Sequence, residues 1–147
     1  KAPITSALLE SIPYMTTAIF STIKPQTEIA PHRGAYRAFL RYHLGIKVPV
    51  DFKECRIYFT NKELSYAWQN GQGVVFDDTF QHHVKNNTNE SRTVLYVDFI
   101  RPMPKPILKL TFVLFRAIQN SPYVQNLLYK LRMREDNHQF NKINYLL

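Results

Sequence analysis

Residues 37–46 read RAFLRYHLGI, and the alternation within this stretch decides the fold class. Phe39, Arg41 and His43 fall on one face of an extended chain, and the residues between them fall on the other. Similar β-type runs occur along the chain as AIFSTI (18–23), CRIYFT (55–60), GVVFDD (73–78), HHVKN (82–86) and RTVLYVDFI (92–100). Short strands at roughly ten-residue spacing, with no long helix between them, predict a mainly β, antiparallel sandwich or barrel of the jelly-roll kind.

Helices are predicted at both ends of this β region. Residues 4–15, ITSALLESIPYM, predict a short helix that begins at Thr5 or Ser6 and stops at Pro13. Its buried side is expected to consist of Leu8, Leu9 and Ile12. Beyond residue 100, the proline-rich stretch RPMPKP must leave any sheet, because proline cannot donate to a strand ladder. Residues 107–120 then predict a helix with a broad apolar face, and Ser121-Pro122 predicts the start of another.

The positive charge of the chain is concentrated in this C-terminal part. The 147 residues carry 19 Lys and Arg against 11 Asp and Glu, a formal charge of +8. Residues 1–100 hold 11 basic and 9 acidic residues, whereas residues 101–147 hold 8 and 2. We therefore divide the chain into a β domain, residues 1–104, and a basic helical extension, residues 105–147. The alternatives for residues 105–134 are packing against the barrel, docking on an anionic membrane surface, and contact with a partner protein.

Composition excludes several classes of protein. The chain is 45% hydrophobic and 20% charged, which is typical of a globular domain. A single cysteine, Cys55, excludes an intramolecular disulfide and a cysteine-based metal site, and it favours a reducing, cytoplasmic compartment. Nucleic-acid binding is not expected, since no recognised binding motif accompanies the basic residues. The longest apolar run, residues 107–118, is too short to span a bilayer.

Histidines in the β region suggest a metal site. Two histidines on separate strands of a jelly roll can converge to bind ferrous iron, for which neutral imidazole is a suitable ligand. His32, His43 and the pair His82-His83 are the candidates. His83 alternates with His82 and should point away from such a site. Taken alone this pattern is weak, because scattered histidines more often serve packing or lie on the surface.

The residues around the histidines strengthen the hypothesis. They form an ordered series with 11-residue steps from Ser21 to His32 and from His32 to His43, and a 10-residue step from His82 to Arg92. The series reads Ser21, PHRG (31–34), LRYHLG (40–45), GVVFDD (73–78), QH (81–82), Arg92 and DFIRP (98–102). Over about residues 1–104 this closely resembles the aspartyl/asparaginyl β-hydroxylases, a family of iron(II)- and 2-oxoglutarate-dependent oxygenases.

The resemblance implies a double-stranded β-helix, which is a cupin-like jelly roll, and a hydroxylase that uses Fe(II), O₂ and 2-oxoglutarate as cosubstrate. It implies that His32 and His82 are the catalytic iron ligands. Four further residues match those that bind the cosubstrate, namely Arg92 and Ser21 at its distal carboxylate and Arg41 and His43 at its iron-chelating end. The residue types agree with this, since a dicarboxylate is bound best by the planar, two-pronged donor of arginine. Without the resemblance, Arg92 would read as a solvated strand-end charge and His43 as a core histidine.

One ligand of the usual facial triad is missing from the sequence. A carboxylate two residues after the first histidine is typical of most iron(II)- and 2-oxoglutarate-dependent oxygenases, and Gly34 stands there instead. Asp77 and Asp78 are interpreted as partners that orient His82 or as turn residues. The glycine resembles the protein-modifying members of the family more than the lipid A 2-hydroxylase branch. We therefore expect hydroxylation at the β-carbon of Asp or Asn in a protein or peptide. The alternatives are 2-hydroxylation of a fatty acyl chain on a membrane lipid and a non-catalytic binding module.

Overall fold

The computed structural model of the chain describes residues 3–34, 36–60, 64–122 and 126. Within these residues, eight strands lie between two helices. The elements in chain order are α1 (Pro3–Glu10), β1 (Met15–Ile23), β2 (Thr27–His32), β3 (Phe39–Lys47), β4 (Cys55–Phe59), β5 (Leu64–Ala67), β6 (Gly73–Phe76), β7 (His82–Asn86), β8 (Arg92–Ile100) and α2 (Lys105–Gln119). A single turn of 3₁₀ helix, Phe52–Glu54, precedes β4.

The strands form two four-stranded antiparallel sheets. The first has the order β1-β8-β3-β6 and the second the order β2-β7-β4-β5. Each sheet alternates between early and late strands of the chain, so neither sheet can form until distant segments have met. This arrangement confirms the predicted mainly β, cupin-like jelly roll with a helix at each end.

Two apolar clusters stabilise the fold. The first is contributed by strands of both sheets, which places it between them, and consists of Ile23, Val48, Cys55, Ile57, Trp68, Phe76, Val84 and Val94. The second combines α1 with the outer face of the first sheet and consists of Leu9, Met15, Ala18, Leu95 and Val97. Strand β8 supplies residues to both clusters and pairs with a neighbour on each side. Strand β8 therefore lies at the centre of the fold.

The N-terminal helix departs from its prediction. It begins at Pro3, whose fixed φ suits the first turn of a helix, so Thr5 and Ser6 lie inside the helix rather than at its start. Leu9 is 2% exposed, but Leu8 is 64% exposed and does not belong to the buried side. Adjacent residues on a helix point about 100° apart, so only one of the two leucines can face the sheet.

Helix α2 packs on the β region along one side only. The ring of Phe115 lies 4.8 Å from that of Phe39, and the ring of Phe112 lies 6.3 Å from that of Tyr14. Its other side carries five large apolar residues that are between 49% and 62% exposed, namely Ile107, Leu110, Val113, Leu114 and Ile118. In the part of the chain that the structure describes, no helix is long and apolar enough to cross a membrane. The second C-terminal helix, predicted from Ser121, lies largely outside the described residues.

Candidate active site

The two predicted iron ligands face each other across neighbouring strands. His32 ends β2, His82 begins β7, and the two are partners in the strand ladder, with ring centroids 4.3 Å apart. Each ring is fixed by its own backbone: Nδ1 lies 2.9 Å from the carbonyl oxygen of Ala30 in His32 and 2.8 Å from that of Phe80 in His82. Because a carbonyl can only accept, both Nδ1 atoms carry the proton, and both Nε2 lone pairs are free to bind a metal.

The environment of His82 favours the neutral ring that a metal requires. The residue is 3% exposed, and burial lowers the pKa of its imidazole below the ordinary value. Burial acts in this direction because the charged form loses its hydration. His83, the next residue, stacks on Tyr58 at a centroid distance of 4.9 Å, and its ring is therefore part of a different contact.

No third ligand joins the pair in the way that a facial triad would. Within residues 3–34, 36–60, 64–122 and 126, no group of three or more His, Cys, Asp or Glu side chains is placed to hold a metal ion. A carboxylate is nevertheless close to the position that the sequence leaves empty. A Cβ built on Gly34 would overlap the carboxylate of Asp78, and the Gly34 N–H donates to the Asp78 carbonyl oxygen at 2.7 Å. Gly34 thus makes room for a side chain from another loop.

An ion-pair network surrounds Arg41. Its guanidinium donates two hydrogen bonds to Asp98, at 2.9 and 3.0 Å, and lies 2.9 Å from an oxygen of Asp78. It also stacks on the ring of Tyr96 at 4.3 Å, and the Tyr96 hydroxyl donates to Asp98 at 2.7 Å. Burial raises the pKa of Asp78, and Arg41 opposes that shift. The proposed contact of Arg41 with a cosubstrate stays a prediction, since both of its acidic partners here are protein side chains.

Arg92 and His43 form the opposite, buried end of the site. Arg92 is 2% exposed. Among the described residues, neither its Nε and Nη1 nor the two ring nitrogens of His43 have a hydrogen-bond partner. The Arg92 guanidinium lies over the ring of Trp68 at 4.2 Å, and burial lowers its pKa to about 10. Burial, followed by the nearby Arg92, Arg41 and His82, lowers the pKa of His43. Buried donors without acceptors are rare in folded proteins, and a bound ligand is one way to satisfy them.

A continuous row of aromatic contacts joins the two ends. The Trp68 ring is 5.9 Å from His43, His43 is 5.1 Å from Phe76, and Phe76 is 5.8 Å from His82. The site therefore extends from the buried guanidinium of Arg92 to the histidine pair.

The two sheets supply different residues of the candidate site. Strand partners directly opposite each other share a face of their sheet, and in the first sheet Ile23 pairs with Arg92, Ser21 with Val94 and His43 with Tyr96. Ser21, Arg41, His43 and Arg92 therefore lie on one inner face, while His32 and His82 come from the second sheet. The structure thus brings all six predicted residues to one region.

Three residues of this region were given no role by the sequence. Tyr96 and Asp98 hold Arg41, and the ring of Trp68 supports Arg92. Tyr96 and Asp98 follow Arg92 at even spacing in one strand, which places them on its face, and that spacing could have identified them. Trp68 follows a short edge strand and offers no such signal.

Comparisons with known proteins agree with this geometry. Residues 1–102 match the family described as aspartyl/asparaginyl beta-hydroxylase. The chain is 35% identical over 123 residues to the ornithine lipid ester-linked acyl 2-hydroxylase of Rhizobium tropici, covering 84% of this chain and 43% of that protein. It is 33% identical over 110 residues to the human aspartyl/asparaginyl beta-hydroxylase, covering 71% of this chain and 14% of that protein. The chain therefore spans less than half the length of either relative.

Solved structures with a similar fold are more distant. A Cupin_2 domain of an XRE family transcriptional regulator from Enterobacter cloacae is 10% identical with a TM-score of 0.48, covering 63% of this chain and 93% of that one. A predicted oxalate decarboxylase from Thermotoga maritima is 12% identical with a TM-score of 0.46, covering 66% and 74%.

Proposed function

Because the chain belongs to the aspartyl/asparaginyl β-hydroxylase family, we propose that it is an iron(II)- and 2-oxoglutarate-dependent hydroxylase acting on a fatty acyl chain of a membrane lipid. The observation that carries the cosubstrate assignment is the buried guanidinium of Arg92, two of whose nitrogens, Nε and Nη1, have no hydrogen-bond partner among the described residues. A buried arginine with free donors fits a carboxylate, and 2-oxoglutarate has one at each end.

The residues present fit both groups. The free Nε2 atoms of His32 and His82 would hold iron(II), and Arg92 would bind the distal carboxylate, with the Ser21 hydroxyl as a further donor. Iron(II) with 2-oxoglutarate and O₂ supplies the oxidising power for hydroxylation of an unactivated C–H bond. The protein's part is to hold the cosubstrate at a fixed distance from the histidines and to keep water out of the apolar space between them.

The choice of substrate changes from the sequence-based expectation. Asp or Asn hydroxylation rested on Gly34, yet the carboxylate of Asp78 fills the space beside that glycine, so the glycine alone does not separate the two branches. The acyl 2-hydroxylase shares more of this chain, 84% against 71%, than the human Asp/Asn hydroxylase does. We therefore favour the alternative, 2-hydroxylation of a lipid-bound acyl chain.

Helix α2 is suited to meet such a substrate at a membrane. Its exposed apolar side is accompanied by Lys105, Lys109 and Arg116, and the sequence from Arg101 to Arg134 contains no acidic residue. An apolar helix face with surrounding cations is attracted to anionic lipid headgroups and inserts its side chains among them. The occupant we assign to this face is therefore an anionic lipid surface.

The catalytic part is tested by turnover. We expect the full chain, supplied with Fe(II), O₂ and 2-oxoglutarate, to form succinate faster with an ornithine lipid that carries an ester-linked acyl chain than with Asp- or Asn-containing peptides. The product should carry one added oxygen at C2 of the acyl chain, as read by mass spectrometry. His82→Ala serves as the inactive control. Faster turnover with peptides would restore the first expectation.

A non-catalytic binding module would give a different signature. Anaerobic addition of Fe(II) and 2-oxoglutarate should produce the visible charge-transfer band of the chelate in the wild-type chain and not in His82→Ala. If the band is absent in the wild-type chain, the cofactor assignment is wrong.

The membrane part is tested by sedimentation with vesicles. We expect the chain to sediment with phosphatidylglycerol vesicles, to do so less at high salt, and to remain in solution with phosphatidylcholine vesicles. Val113→Glu, on the exposed side of α2, should weaken binding several-fold. Val50→Glu is the matched control, because Val50 is 83% exposed and lies in the β domain. If both variants bind as the wild type does, another occupant covers α2.

A further inference from the structure

A cavity with several positively charged side chains adjoins the histidine pair along the chain, and it has no part in the function proposed above. It has a volume of about 500 Å³ and is lined by three arginines, Arg33, Arg37 and Arg101, and by the loop of residues 77–81. A volume of this size is typical of small-molecule sites and exceeds what a single carboxylate needs. The cavity therefore has room for a polar group of several atoms.

The residues that line the cavity are chain neighbours of the two histidines proposed to bind iron. Arg33 directly follows His32, and the loop 77–81 ends at His82. The carbonyl oxygen of Phe80, in that loop, accepts the hydrogen bond that orients the His82 ring. A ligand in the cavity would therefore contact residues that adjoin both histidines in the chain, whereas Arg92 lies at the far, buried end of the site.

The charge of the cavity is positive and only partly neutralised. Arg101 pairs with Asp77 through its guanidinium and donates from Nε to the carbonyl oxygen of Arg37 at 3.2 Å. Although burial opposes it, hydrogen bonds from Thr79 and Arg101 lower the pKa of Asp77, which keeps this carboxylate ionised. One of the three cations is thus balanced. Arg33 and Arg37 are exposed and have no acidic partner among the described residues.

The position of the reacting carbon limits where a headgroup can be. C2 of an acyl chain is adjacent to the carbonyl carbon that links the chain to the rest of the lipid. If C2 is to reach the histidine pair, the polar part of the lipid must lie within a few bonds of it. The arginine-lined cavity, whose lining residues adjoin both histidines in the chain, is a charged space that could receive that part.

We propose that the cavity of Arg33, Arg37 and Arg101 binds an anionic carboxylate or phosphate in the headgroup of the acyl lipid and so positions C2 at the metal. The guanidinium groups of Arg33 and Arg37 supply the two-pronged donors that both anions accept. Arg101 is already paired with Asp77, which leaves Arg33 and Arg37 for the ligand. This inference rests on the proposed function, because it assumes an acyl lipid as substrate.

Equilibrium binding tests the proposal without turnover. The full chain, with Fe(II) and 2-oxoglutarate under anaerobic conditions, is titrated calorimetrically with N-decanoylglycine, which carries a carboxylate, and with decyl phosphate. N-decanoylglycinamide is the neutral control of the same length. We expect at least one anionic probe to bind about tenfold or more tightly than the amide, because charge-assisted hydrogen bonds are the strong ones. Comparison of the two anions distinguishes a carboxylate headgroup from a phosphate headgroup.

Arginine variants locate the binding. Arg33→Gln and Arg37→Gln should each raise the Kd for the anionic probe about tenfold and leave the Kd for the amide unchanged. Arg56→Gln is the matched control, since Arg56 contacts Ser65 on β5 and should bind as the wild type does. Equal binding of acid and amide, or unchanged binding in both cavity variants, would overturn the proposal. An equal loss in Arg56→Gln would also overturn it, because it would show that the probe is attracted by the positive charge of the protein in general.

The two proposals can fail separately. If anion binding depends on Arg33 and Arg37 but no acyl lipid is hydroxylated, the cavity is an anion site and the proposed function is wrong. If acyl lipids are hydroxylated while binding is independent of these arginines, the proposed function stands and the cavity has no part in it.

Discussion

At the scale of single residues, the site depends on which side chains are absent as much as on those present. Gly34 has no side chain, and the carboxylate of Asp78 lies in the space that one would fill, held there by Arg41. A residue with a side chain at position 34 has to displace that carboxylate. An aspartate introduced at Gly34 would therefore change two features at once, a new ligand and a displaced Asp78.

A double-mutant cycle isolates this contact. Gly34→Ala should destabilise the protein by about 1–3 kcal/mol, because the added methyl group separates Asp78 from Arg41. In an Asp78→Ala background the same substitution should cost clearly less, since the obstruction has been removed. Chemical denaturation of the four proteins gives both values. Equal costs in the two backgrounds would show that residues 34 and 78 do not interact.

At the scale of elements, the sequence predicted all four strands of the first sheet and missed the two edge strands of the second. RTVLYVDFI and HHVKN became β8 and β7 because paired strands require alternating, β-favouring residues. Strand β2 was not predicted, since it contains Pro31, which is tolerated at the edge of a sheet. Strand β5, with four residues at the other edge, is too short to show a period.

For the candidate site, the sequence could predict residues that belong to a motif but not contacts between distant segments. His32, His82 and Arg92 were identified through their place in an ordered series. The meeting of Gly34 with Asp78 was not, because residues 44 positions apart come together only when β2 and the loop before β7 are folded. The ion pair between Arg41 and Asp98 likewise forms only when β3 pairs with β8.

Hydrogen exchange should reveal the order of stability among the strands. We expect the slowest amide exchange in the strands with a neighbour on each side, β8, β3, β7 and β4, and faster exchange in the edge strands β5 and β6. Amides of central strands open only with global unfolding, whereas edge amides open locally. Mass-spectrometric exchange on the full chain measures this. Protection of β5 equal to that of β8 would contradict the sheet order.

At the scale of the whole molecule, the stability of the empty protein and its affinity for 2-oxoglutarate are opposed. A buried guanidinium with unpartnered donors costs free energy in the absence of a ligand, and the same donors bind the ligand when it arrives. The fold therefore keeps a destabilising group at its centre, on β8, in the strand that both apolar clusters share.

Replacing that group should move the two quantities in opposite directions. Arg92→Met is expected to leave the empty protein as stable as the wild type or more stable, because the apolar side chain needs no partner. With Mn(II) in place of iron, 2-oxoglutarate at a hundred times its Kd should stabilise the wild type by about 2.7 kcal/mol. The variant should gain almost nothing. Thermal or denaturant unfolding with and without 2-oxoglutarate measures both effects, and a large ligand effect in Arg92→Met would contradict the assignment.

The position of Trp68 makes the site visible to spectroscopy. It is the chain's single tryptophan, it is fully buried, and the guanidinium proposed to receive the cosubstrate lies over its indole ring. A nearby positive charge shifts indole emission, and an arriving carboxylate would neutralise much of that charge. The intrinsic fluorescence of the unlabelled protein should therefore follow cosubstrate binding in real time, with no second tryptophan to contribute background.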